Sequence, residues 1–109
     1  MGCDKIMDPE VGENRVRAHV VARGRVQGVG FRAFVQSQAT ERGLSGWVRN
    51  VPDGRIETEV EGARVFVDEF IQALKRGPSL AHVQEVQVEW INPNAQGSSD
   101  FIIIPGNNR

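Results

Sequence analysis

The stretch from Arg15 to Arg42 changes its hydrophobic period in mid-course, and that change limits what the chain can fold into more than any other feature. Between Arg15 and Arg23, the residues Val16, Ala18, Val20 and Ala22 alternate with Arg17, His19 and Val21, the two-residue period of a strand with one buried face. After the glycine-rich run Gly24 to Gly30, the residues Phe31, Phe34, Val35, Gln38 and Ala39 recur at helical spacing up to Arg42, with Gly43 placed to end the helix. A strand therefore passes into a helix through a short glycine turn.

The pattern then repeats with an extra strand. Trp47 to Val51 and Arg55 to Glu61 are short runs of strand-favouring residues, and Pro52, Asp53 and Gly54 between them have the composition of a hairpin turn, so the two should pair antiparallel. Phe66, Phe70, Ala73 and Leu74 mark one face of a second helix, terminated by Lys75, Arg76, Gly77 and Pro78. Val83 to Trp90 alternates again, with Val86, Val88 and Trp90 on one face and Glu85, Gln87 and Glu89 on the other. Phe101 to Ile104 is a candidate extra edge strand. This order predicts an α+β fold of the split βαβ, or ferredoxin-like, kind: βαββαβ, an antiparallel sheet with two helices packed on one face. That architecture serves many unrelated functions and decides nothing about chemistry.

At 109 residues the chain has room for one core. The domain is expected over 15–104, with an N-terminal extension over 1–14, which is polar and without sustained period, and a C-terminal tail over 105–109. Thirteen basic against 14 acidic side chains give a formal charge of -1, so nucleic acid is not an expected partner. Cys3 is the only cysteine, which rules out an internal disulfide and points to the reducing cytoplasm. No stretch is apolar enough to cross a membrane, and the first residues lack the apolar core of a secretory signal. The Met-Gly start does not complete a myristoylation pattern, because Ile6 stands where Ser or Thr is required. His19 and His82 lie far apart without the carboxylate or cysteine company of a metal site, so no metal is expected.

The chemistry is concentrated in Gly24-Arg25-Val26-Gln27-Gly28-Val29-Gly30-Phe31-Arg32. Glycines let a ligand approach the main chain, and successive backbone N–H groups in such a turn can converge on an anion beside a helix terminus. Arg32, in the first helical turn, can add a planar guanidinium that bonds two phosphate oxygens together. The plain alternative is a tight turn followed by a solvated arginine. Residues 28–33 also fit G-x-G-x-x-A, but the chain is too short for a doubly wound sheet and the next strands form a hairpin. No Lys-Ser or Lys-Thr follows the glycines, so the loop is not a P-loop.

Two segments together, G-R-V-Q-G-V-G-F-R at Gly24 to Arg32 and G-W-V-R-N at Gly46 to Asn50, closely resemble the signatures of the acylphosphatase family. Similarity continues through Pro52 to Glu57, Val60 to Gly62 and Gly77 to Val83, and so covers roughly Arg15 to Ile104. The resemblance implies a ferredoxin-like hydrolase that cleaves acyl phosphates to a carboxylate and inorganic phosphate, with no metal, cofactor or covalent phosphoenzyme. It implies that Arg32 binds the substrate phosphate with the loop amides of Gln27, Gly28, Val29, Gly30 and Phe31, and that Asn50 orients the attacking water. Inorganic phosphate or sulfate should then compete as an anion, and the chain is expected to work as a monomer. On its own, Asn50 would read as a turn residue, and Trp47 as packing in the core or on the sheet face.

Three other readings bear on these residues. The amino-terminal module of carbamoyl-phosphate-handling hydrogenase maturation proteins shares both signatures, but a chain ending at Arg109 is expected to be the stand-alone enzyme. A non-catalytic ferredoxin-like module that binds anions or RNA is the alternative of a different class: Gly30 to Val35 superficially matches the aromatic segment of an RRM. There the aromatics must lie on a strand, whereas Phe31, Phe34 and Val35 have helical spacing. Finally, Arg15, Arg17, Arg23 and Arg25 are dense around the first strand, where alternating positions should spread them over solvent and the loop and where they could attract anionic substrates.

Overall fold

The computed structural model describes residues 14–93 and 100–105. The extension over 1–14 and the tail over 105–109 therefore lie outside the described residues, apart from Asn14 and Pro105. The elements are β1 (Arg15–Arg25), α1 (Phe31–Glu41), β2 (Ser45–Asn50), β3 (Ile56–Ala63), α2 (Arg64–Arg76), β4 (His82–Ile91) and β5 (Phe101–Ile103). They form one sheet in the order β4-β1-β3-β2-β5, the split βαβ arrangement expected from the periodicities.

Alternation in β1 puts Ala18, Val20 and Ala22 on the inner face, all at most 1% exposed. Val48 of β2 and Ile56 and Val60 of β3 continue that face. Phe31, Val35 and Ala39 of α1 and Val67, Phe70, Ile71 and Leu74 of α2 close over it in the same cluster, so both helices cover one side. The outer side carries charge in register. Glu57, Glu59 and Glu61 of the central strand lie between basic residues of β1 and β2: Arg15 and Arg17 bond Glu61, Arg17 also bonds Glu59, and His19 and Arg49 bond Glu57. Burial opposes the charge of Glu57, but the hydrogen bonds from His19 and Arg49 outweigh it and hold that carboxyl below its ordinary range. Trp47 lies on this outer face, opposite Glu59 in register, with the Arg49 guanidinium 5.9 Å from its ring centre.

Three details depart from the periodicity. The sheet is mixed, because β5 runs parallel to β2, pairing Gly46, Trp47 and Val48 with Phe101, Ile102 and Ile103. A three-residue strand carries too little pattern to reveal its direction. Phe66 is 40% exposed and does not mark the buried face of α2. The helix starts at Arg64, and its inward stripe runs through Val67, Phe70, Ile71, Ala73 and Leu74, so that Phe70, Ala73 and Leu74 lie where expected and Val67 takes the place of Phe66. Trp90 shares the inner face of Ala18 but sits on the edge strand, 42% exposed, where the Arg64 guanidinium covers its ring at 4.2 Å.

At Gly46, β2 leaves no room for a side chain against β3. A Cβ built there would fall 1.9 Å from the Glu59 carbonyl oxygen, and its φ of +142° is a conformation that L side chains avoid. Backbone of the central strand cannot yield to it. Gly46→Ala is therefore expected to cost at least about 2 kcal/mol and to lower the Tm by roughly 10 °C, read by thermal unfolding. An unchanged Tm would disprove the close approach.

Candidate functional site: the turn before the first helix

Between β1 and α1 the chain makes a turn in which Gly28 and Gly30 both adopt left-handed angles, φ +77° and +76°. A Cβ built on either meets nothing within 4 Å, so conformation rather than crowding requires glycine at both places. Gly30 is also the N-cap of α1, and no side chain caps the helix. Its first turn carries no acidic residue. The leading N–H groups and the positive end of the helix dipole are thus left for an anion.

This turn lines a pocket of about 260 Å³. Gly28, Gly30, Phe31 and Arg32 form its helix side, and Asn50 faces them from the last position of β2. Alternation explains the arrival of Asn50: it lies two residues beyond the inward Val48, while the intervening Arg49 points out to Glu57. The Asn50 side chain makes no hydrogen bond among the described residues. Arg32 is steadied from behind, its Nη1 donating to the Ile104 carbonyl at 3.2 Å just past β5. One such bond leaves the rest of the fork to reach an oxyanion. Val26, Ala33 and Ile103 complete the lining with apolar surface.

Of the residues expected at the site, Gly28, Gly30, Phe31, Arg32 and Asn50 therefore come together, whereas Gln27 and Val29 do not line the pocket. Val29 packs against the core. The Gln27 side chain turns away, its Nε2 donating to the carbonyls of Val51 at 2.8 Å and Arg55 at 2.9 Å. Sequence reasoning did not find Val26, Ala33, Ile103 or the Ile104 carbonyl. Only the alternation of β5 could have suggested Ile103, and no residue type marks the Ile104 carbonyl. Of the arginines around β1, Arg15, Arg17 and Arg23 are paired with Glu61, Glu59 and Glu85. Their charge is largely spent within the sheet rather than displayed to a substrate.

Phe31 and Phe34 stand on α1, their ring centres 5.8 Å apart, with Phe31 1% exposed. Neither offers a ring on the sheet surface, which is where an RRM stacks its bases. No helix among the described residues is long and apolar enough to cross a membrane.

The family model described as acylphosphatase matches residues 18–103. An acylphosphatase of Anaeromyxobacter dehalogenans is 49% identical over 80 residues, spanning 73% of this chain and 86% of that protein. The crystal structure of acylphosphatase from Bacillus subtilis aligns with a TM-score of 0.78 at 38% identity, covering 83% of this chain and 99% of that one. An acylphosphatase structure from Coxiella burnetii aligns with a TM-score of 0.79 at 35% identity, over 87% of this chain and 98% of that one.

Proposed function

The chain belongs to the acylphosphatase family and hydrolyses acyl phosphates, and we propose that Arg32 and the amides of the 28–31 turn hold the phosphoryl group while Asn50 aligns the attacking water. The observation that carries this is the pocket itself. It opposes a carboxamide on a strand end to a guanidinium and an uncapped helix start.

Phosphoryl transfer asks a protein mainly to position reactants and to stabilise charge on the equatorial oxygens. The amides and the Arg32 fork meet those oxygens. The Asn50 carbonyl oxygen accepts a hydrogen bond from water and aims its lone pair at phosphorus, opposite the acyl oxygen. A P–O bond forms to water as the bond to the acyl oxygen breaks, and the electron pair leaves on the carboxylate. That leaving group is weakly basic, so no general acid is needed, and a phosphoryl oxygen takes the water's proton. Gln27 and Val29 belong to the turn by position, and their backbone shapes it. The same reading makes the chain a cytoplasmic monomer without a nucleic-acid partner. The near-balanced charge supports the absence of a nucleic-acid partner.

Inorganic phosphate should inhibit hydrolysis of benzoyl phosphate competitively, and a crystal grown in phosphate should hold the anion between Arg32 and the 28–31 amides. An anion found only elsewhere in such a crystal would sink the assignment. No three His, Cys, Asp or Glu side chains gather as a metal site among the described residues. Activity is accordingly expected to survive chelators unchanged, and reproducible loss with recovery on adding Mg²⁺ would overturn the metal-free mechanism.

A further inference from the structure

Gln27 joins the two halves of the pocket without entering it. Its Nε2 spends both N–H groups on the turn that follows Asn50: one goes to the Val51 carbonyl, 2.8 Å away, and the other to the Arg55 carbonyl, 2.9 Å away. That turn is already closed on itself. Gly54 donates to Val51, Val51 donates to Arg55, and the Arg55 amide donates to the Asp53 carboxylate. The hairpin tip is thus a rigid piece, and Asn50 is the residue immediately before it, in register with Ile56 immediately after it. Gln27 for its part precedes Gly28, the first residue of the anion-binding turn on the pocket wall.

We infer that Gln27 is a positioning residue, a clamp that fixes the distance and angle between the phosphate-holding turn and Asn50, and so between phosphorus and the attacking water. This rests on the assignment of Asn50 given above. Among the described residues, the side-chain hydrogen bonds that tie the 26–30 loop to the hairpin tip are those of Gln27. They reach across 24 and 28 residues of sequence, so they set tertiary geometry rather than local turn shape. A water held by Asn50 must sit in line with the leaving oxygen, and a displacement of about 1 Å at such a site can cost on the order of 10² in rate. Phosphate, by contrast, touches only one side of the clamp. Losing Gln27 should therefore slow turnover more than it weakens phosphate binding.

The test is a double-mutant cycle with Gln27→Met, which keeps volume but donates nothing, and Asn50→Ala. Because the Val51 and Arg55 carbonyls each also accept a backbone N–H, removing Gln27 orphans neither of them, and the variant keeps the fold. Gln27→Leu, which is neutral and donates nothing either, serves as the second variant. With benzoyl phosphate, both are expected to lower kcat by about tenfold or more while the phosphate inhibition constant stays within about twofold. In the Asn50→Ala background, Gln27→Met should cost less than about twofold further, because the group it positions is gone. A change that only loosened the fold would instead lower kcat equally in both backgrounds. Equal losses overturn the inference, as does a phosphate affinity that falls in step with kcat. Should Asn50→Ala alone keep near-normal kcat, the water-orienting assignment and the clamp both fall, whereas a slow Asn50→Ala with additive losses removes only the clamp.

Discussion

Arg32→Lys is expected to weaken inhibition by phosphate and to lower kcat together, with kcat/KM reduced on the order of 10³-fold, about 4 kcal/mol. Lysine keeps the positive charge and loses the geometry. The guanidinium of Arg32 starts from a backbone held in the first turn of α1, and its Nη1 is steadied by the Ile104 carbonyl at 3.2 Å. The fork can then present parallel N–H groups to two phosphoryl oxygens, in the ground state and, as charge spreads over them, in the transition state. An ammonium meets those oxygens as a point charge, and its donors cannot serve the Ile104 carbonyl and a bidentate oxyanion in the same way. Since the interaction exists before and during reaction, binding and turnover should suffer jointly. The measurement is kcat and KM for benzoyl phosphate beside the phosphate inhibition constant. Wild-type phosphate inhibition in the variant would show that some other group holds the anion.

Much of this architecture is written in residue periods, because burial of one face imposes them. Ala18, Val20 and Ala22 in β1 and Val35 and Ala39 in α1 lie where their spacing puts them, each at most 1% exposed. The pattern weakens wherever position in the finished sheet, rather than the local period, decides burial. Trp90 alternates correctly yet stands on an edge strand, so it meets the Arg64 guanidinium at the start of α2 and stays 42% exposed. Phe66 looks apolar enough for the core, but the start of α2 at Arg64 fixes the phase of the helix and turns it outward. The direction of β5 depends on which edge of the sheet is open, and three residues carry no record of that.

The pocket was legible to a similar depth. The glycine turn shows itself through the left-handed conformations it requires, and Arg32 follows at the right place for a helix start. Asn50 is indistinguishable from an ordinary turn residue until the strand alternation of β2 and the order of the sheet bring it opposite the turn. Gln27 is harder still. Its partners are main-chain carbonyls of Val51 and Arg55, and a hydrogen bond to a carbonyl imposes no residue type on the partner position. A sequence therefore keeps no trace of where such a side chain reaches.

Asn50→Ala is expected to leave competitive inhibition by phosphate near its wild-type strength while kcat falls on the order of 10²-fold or more, about 3 kcal/mol. Asn50 lines the pocket from the end of β2 and makes no hydrogen bond among the described residues, so truncating it breaks none of the contacts they show and leaves the 28–31 turn and Arg32 intact. What disappears is the acceptor that holds a water on the far side of phosphorus from the leaving carboxylate. Bulk water can still attack, but without alignment, and the lost rate measures what orientation contributes. The contrast with Arg32→Lys is the informative part: one variant should lose phosphate affinity and turnover together, the other turnover alone. A near-normal kcat with a raised KM in Asn50→Ala would make Asn50 a binding or turn residue. Hydrolysis of acyl phosphates by this chain would stand in that case, and the search for the water's partner would move to the main chain around the pocket.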